Sequence, residues 1–159
     1  MKNLSMFIKR IKNFSQLKSQ KKLLIIKAFI LTAIFRFLIL CIPFRIIKKH
    51  MGNMHEESSE VIESNKYEKA KEISWAIQKV ARVTPWESKC LVQALSAQRL
   101  LYSNNIDSTL YLGVRKEKIS QNKKMIAHSW IRCGKLYVTG GYDDNYAVVA
   151  KFMKRSKIR

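Results

Sequence analysis

Two side chains in this sequence have the type and the setting for nucleophilic chemistry. Cys90 heads an apolar stretch of helical character, KCLVQALSAQRLL, and His128 lies inside a strand-like segment, AHSWIRCGKLYVTGG. A thiol at a helix start facing an imidazole on a sheet is the least that cysteine-based acyl chemistry needs: the imidazole takes the thiol proton and the sulfur attacks a carbonyl carbon. Each residue alone has a plainer reading. Free Cys is among the most buried residue types and usually only packs, and a strand His alternating with Ile126 and Trp130 packs as well. Taken together they form a thiolate–imidazolium pair. Cys133, at a turn, and Cys41, in an apolar run, lack that setting. Three cysteines with no short metal-type spacing argue for a reducing compartment and against a disulfide framework or a zinc site.

The elements that would position the pair are legible in the periodicity. Tyr67, Ala70, Ile73, Ala76, Ile77 and Val80 recur at spacings of three and four, which predicts a helix over 66–83 whose apolar face covers a core. The Cys90 helix is apolar nearly all round and runs to Asn104-Asn105. Two starts are open for it. Thr84-Pro85-Trp86-Glu87 has a hydroxyl cap, a Pro at the first position and a Glu three after the cap; the alternative caps on Ser88. A cap at Ser88 puts Cys90 in the first turn, where the helix dipole lowers a thiol pKa, and the catalytic reading needs that later start. Residues 108–115 alternate as a strand, 116–124 read as a charged loop, and 126–133 with 135–139 form two strands joined at Gly134. A turn over 140–145 leads to a closing strand, 146–152. The fold class expected is α+β, with two or three helices on one face of a small antiparallel sheet.

The charge is strongly one-sided, with 31 Lys and Arg against 11 Asp and Glu and a net +20. The first carboxylate of the chain is Glu56. Nucleic acid is the poorer partner for this charge, because the basic residues are spread among aliphatic runs without a helix-turn-helix, zinc or single-strand-binding signature. Aliphatic runs flanked by Lys and Arg read better as a segment at the inner, anionic face of a membrane. The run from Leu23 to Lys49 is no clean span, since Arg36 sits in its middle and a central Arg costs about 2.5–3.5 kcal/mol. Pro43 should end a helix near Ile42. Two arrangements stay open: a marginal span with Arg36 partnered, or two short helices lying in the membrane surface or against protein. The expected division is a basic apolar segment over 1–50, an acidic linker over 51–65 that includes His55, a domain over 66–153 and a basic tail over 154–159.

With these residues in place the sequence resembles a known family. P-W-x-x-x-C-L-x-x-A-L at 85–95, L-Y-L-G-V at 110–114, A-H-S-W at 127–130 and G-x-x-x-V-T-G-G at 134–141 are similar to the transglutaminase-like cysteine protease domain of lasso peptide biosynthesis B2 proteins. These are relatives of the C-terminal domain of the microcin J25 processing protein. Pro43-Phe44-Arg45, closing an apolar segment ahead of the domain, also fits. The resemblance implies a transglutaminase-like or papain-like domain acting as a leader peptidase, which frees a precursor peptide for a separate ATP-dependent cyclase. It implies Cys90 as nucleophile, His128 as general base, and backbone amides of the Cys90 helix as oxyanion donors. The family carries an Asp on the strand after the His; here that strand has no acid, which leaves Asp143 as third member, with Asp144 and Asn145 as alternatives. No PqqD-like domain is visible, so a separate PqqD-like leader-binding protein is an expected partner, and no cofactor or metal is expected. A non-catalytic precursor-binding scaffold and transglutaminase-like acyl transfer remain the competing readings.

Overall fold

The computed structural model describes residues 14–119, 122–141 and 144–156, and the side chains of 118–119 and 122–123 lie outside that description. Asp143 falls outside it. The apolar run forms α1, Ser19–Cys41, and a short α2, Phe44–Lys49. Pro43 separates them as its ring demands, with Ile42 extended and its amide donating to the Leu38 carbonyl at 2.8 Å. Next come β1, Asn53–Met54; α3, Ser64–Ala81; and α4, Cys90–Ser103. The chain then runs through β2, Ser108–Ile119; β3, Asn122–Cys133; β4, Leu136–Thr139; and β5, Ala147–Lys154.

The strands make one antiparallel sheet in the order β1-β5-β2-β3-β4. Alternation sorts its two faces. Leu110, Ile131, Cys133 and Phe152 point to the side covered by α3 and α4, where they pack with Ile73, Ile77, Leu100 and Leu101. Each of these large aliphatic side chains is almost fully buried, and full burial of one contributes about 1.5–3 kcal/mol. Ser74 fixes α3 to β4 by donating to the Val138 carbonyl at 2.6 Å. The other face carries Tyr111, Trp130, Arg132 and His128. Gly113 lies opposite His128 in the β2–β3 register, and its missing side chain gives room to the Trp130 ring, 2.7 Å from where a Cβ would stand.

α1 belongs to this fold. Leu24, Ala28 and Thr32 are buried against α3 and α4, while Leu23, Ile30, Phe37 and Leu40 face outward. Arg36, the obstacle to a clean span, is paired with Glu87 at 3.1 Å, and Phe29 packs on Trp86 with ring centroids 4.9 Å apart. β1 adds an edge to the sheet at Gly52, whose φ of +119° and contact with the Met153 backbone leave no space for a side chain.

Two local expectations need correction. The charged loop expected over 116–124 is instead a two-stranded ribbon, with Glu117 opposite Lys124 and Lys116 opposite Met125. It extends beyond the helices, so neither of its faces needs to be apolar and the period-2 signal is absent. Neither expected cap starts α4. Its N-cap is Lys89, without a side-chain cap bond, because the Thr84 and Ser88 hydroxyls bond each other at 2.9 Å in the preceding loop.

Candidate active site

Cys90 is the first residue of α4 and is half-buried. The first-turn amides of a helix have no intrahelical acceptor, and here no side chain caps them. They remain donors, next to a thiol, at the positive end of a 14-residue helix dipole. The other two cysteines stand elsewhere. Cys41 is exposed at the end of α1, and Cys133 is buried under the helices, where desolvation and then the nearby Asp107 charge push its thiol up to about 11. A thiol held protonated in this way is chemically quiet.

His128 sits on β3 between Trp130 and Tyr146, with ring centroids 5.7 Å and 5.1 Å away. Its Nε2 is 3.0 Å from the carbonyl oxygen of Gly140. A carbonyl only accepts, so Nε2 carries the hydrogen, and in the neutral ring Nδ1 is left with the lone pair. That is the tautomer a general base requires. Gly140 reaches the ring because β4 ends at Thr139 and the chain turns there with φ +79°.

The expected constellation is not assembled in this structure. α4, which carries Cys90, packs on β3, but His128 projects from the opposite face of β3, beside Trp130. Among the described residues, no hydrogen bond joins the thiol to the imidazole. Of the expected third members, Asp144 and Asn145 are exposed in the turn after β4, and Asp143 lies outside the described residues. The group recorded on the ring is a backbone carbonyl, which leaves no mark in a sequence. Among the described residues, no three His, Cys, Asp or Glu side chains gather closely enough to hold a metal ion.

Beside His128, the outer face of the sheet is fixed by a polar network that the sequence did not reveal. Arg132 is buried; it donates to the Tyr111 hydroxyl at 3.0 Å, the Gly134 carbonyl at 2.7 Å, the Ser58 carbonyl at 2.9 Å and Glu57 at 3.1 Å. Tyr111 stacks on Trp130, centroids 5.5 Å apart. The hydrogen bond from Lys151 holds the Glu57 carboxyl below the usual carboxylate range against the opposing effect of burial, with Tyr111 adding to it. The network pins residues 57–58 across the sheet and so supports the strand that carries His128. Four glutamates share the stretch 52–65, and no local pattern marks Glu57 among them.

Comparison with curated proteins and with solved structures returns no match. The family model of the transglutaminase-like superfamily matches residues 38–152, from the end of α1 through β5. Members of that superfamily are commonly cysteine peptidases or acyl transferases, and the helices and antiparallel sheet described above fit its α+β class. With most of its length inside that match, the chain belongs to the transglutaminase-like superfamily.

Proposed function

We propose that this protein is the leader peptidase of lasso peptide biosynthesis, a cysteine peptidase working with Cys90 and His128. The observation that carries the reading is Cys90 at the first position of α4, half-exposed beside uncapped amides, in a chain of this superfamily. In the proposed reaction, His128 Nδ1 takes the thiol proton as sulfur bonds to the scissile carbonyl carbon. The first-turn amides of α4 hold the oxyanion. The C–N bond then breaks as His128 returns the proton to the leaving amine. Water, deprotonated by the same ring, hydrolyses the thioester and releases a carboxylate and the free thiol. The proposed reaction requires substrate binding to bring the His128 ring, which projects from the face of β3 turned away from α4, round to the end of α4 that carries Cys90.

In this reading the substrate is a lasso precursor, presented by a separate PqqD-like leader-binding protein, and the product passes to an ATP-dependent cyclase. The protein itself uses no cofactor. α1 would lie along the anionic inner face of the membrane. It is long and apolar enough to cross a bilayer by length and composition, but one side of it is already taken up by α3 and α4.

The missing bond between Cys90 and His128 favours one competitor, a non-catalytic scaffold that presents the precursor. A third reading is acyl transfer to an amine by the same pair. Incubating the purified chain with a lasso precursor and the leader-binding protein, followed by mass spectrometry, separates the three. Peptidase action gives a free carboxylate at the cut, transfer gives a new amide, and a scaffold gives intact precursor. Cys90→Ala and His128→Ala should each abolish cleavage without lowering the melting temperature, and full cleavage by either variant would sink the reading.

A further inference from the structure

A second site lies on the other side of α4 from the chemistry. A cleft of about 430 Å³ opens where α1 bends into α2 and both meet α4. Such a volume falls in the range of about 300–1,000 Å³ typical of ligand pockets. Its walls are aliphatic and aromatic, from Phe35, Leu38 and Ile42 of the α1 end, Ile46 of α2 and Leu95 of α4. Its polar edge is cationic. Arg99 and Lys154 line it, and each lies over the Tyr102 ring, at 5.7 Å and 5.4 Å from its centroid. Lys154 is also anchored to the His50 carbonyl at 2.7 Å.

Among the described residues, no carboxylate lies within ion-pair distance of Arg99 or Lys154, nor of Arg45, Lys48 or Lys49 on the adjoining α2. Burial and the neighbouring Arg99 hold the Lys154 ammonium below its ordinary range. Two like charges kept together at the mouth of an apolar cleft are relieved by an anion that also carries apolar bulk. Elsewhere on α1 and α2, Phe37, Leu40 and Phe44 are exposed. Exposed apolar side chains together with basic residues are the chemistry of an interfacial lipid contact.

We propose that this cleft binds one anionic phospholipid of the membrane, with an acyl chain between α1, α2 and α4 and the phosphate held by Arg99 and Lys154. The proposal builds on the surface-lying reading of α1 and is independent of the thiol chemistry. It makes the elbow of α1 and α2 a lipid-specific anchor, beyond general attraction of a basic protein to a negative surface.

Phosphatidylglycerol bearing a diazirine in its acyl chain, in phosphatidylcholine vesicles, tests it on the full chain, with adducts mapped by mass spectrometry. Adducts are expected on Phe35, Leu38, Ile42 or Leu95. The Arg99→Gln/Lys154→Gln double variant should lower their yield roughly thirtyfold, taking each basic residue as worth about a fivefold preference for an anionic surface. Lys116→Gln/Lys124→Gln, the same charge loss on the β2–β3 ribbon, which does not line the cleft, should change it less than about threefold, because the attraction of an anionic surface falls off within about a Debye length. Both variants alter exposed or half-exposed residues, and an unchanged melting temperature confirms the fold. Adducts confined to Phe37 and Leu40 would leave surface association standing and overturn the cleft. An absence of adducts anywhere would overturn both. Cleft labelling by diazirine palmitate but not by the phospholipid would overturn the phospholipid assignment, as would cross-links to a second copy of the chain through the same residues.

Discussion

His128 Nε2 donates to the carbonyl oxygen of Gly140 at 3.0 Å. The ring is thus held through the backbone where the chain leaves β4, at a residue whose φ of +79° only glycine adopts freely. A carbonyl fixes the same tautomer that an acidic third member would fix, although it offers less stabilisation to the imidazolium.

Gly140→Ala should therefore damage catalysis beyond its cost in stability. The added Cβ would stand 2.7 Å from the Ser129 carbonyl and 3.1 Å from His128 Nε2, so the turn must move. Displacing the ring by about 1 Å should lower kcat about a hundredfold in leader-cleavage assays on the folded fraction. Asp144→Asn and Asn145→Ala should stay within about threefold of wild type on the same principle. If Asp143→Asn, Asp144→Asn or Asn145→Ala fell as far as His128→Ala, a side chain and not the carbonyl would be orienting the ring.

The cysteines should separate in alkylation and in alkaline stability. Cys90 and Cys41 should take iodoacetamide in the folded protein, and Cys133 only after denaturation, because it is fully buried. Cys133 keeps its proton in the fold up to about 11, against a reference value of 9.0. The unfolded chain gives up that proton first as pH rises, so this contribution is whole below about pH 9 and is lost by about pH 11, amounting to about 2–3 kcal/mol. Urea melts at pH 8 and pH 11 should show a smaller decline for Cys133→Ala than for wild type. Equal declines would mean that burial of this thiol is not linked to stability.

Glu57 and Arg132 should behave as a pair with a pH signature. Glu57 is 40% exposed at its side chain, so solvent screens part of its effect. Glu57→Gln should cost about 1 kcal/mol at pH 7, because Arg132 keeps its bonds to Tyr111, Ser58 and Gly134. The carboxyl is held below its usual 4.5, so its contribution is present above that value and fades as acid protonates it in the fold. The stability gap between wild type and Glu57→Gln, from chemical melts, should close as the pH falls below about 4.5. A gap that persisted would show the charge to be irrelevant.

The two sides of α1 should respond in opposite ways. Ala28 is completely buried, so Ala28→Glu should cost at least about 3 kcal/mol through overpacking and a buried charge. Phe37 is 63% exposed, and Phe37→Glu should shift stability by no more than about 0.5 kcal/mol. It should nevertheless weaken flotation with phosphatidylglycerol vesicles about tenfold, because one large apolar contact is lost and a like charge is added. Unchanged flotation by Phe37→Glu would count against α1 lying on the membrane.

The sequence by itself determined what local chemistry determines. The spacing of Ala70, Ile73, Ile77 and Val80 set the buried face of α3. Pro43 set the break between α1 and α2, and the alternation through Leu110 and Ile131 set the inward face of the sheet. The P-W-x-x-x-C and A-H-S-W stretches, with their types and spacing, were enough to point to a superfamily. The tertiary structure alone decided which contacts complete these elements. Arg36, costly in any isolated apolar helix, is answered by Glu87 from a loop far along the chain. Glu57 was one of four glutamates in a polar stretch until Arg132 selected it. The partner of His128 is a carbonyl, which every residue possesses, so only the path of the chain after Thr139 could single out Gly140. Periodicity records which way a residue faces within its own element; what it meets there depends on distant chain brought close by packing.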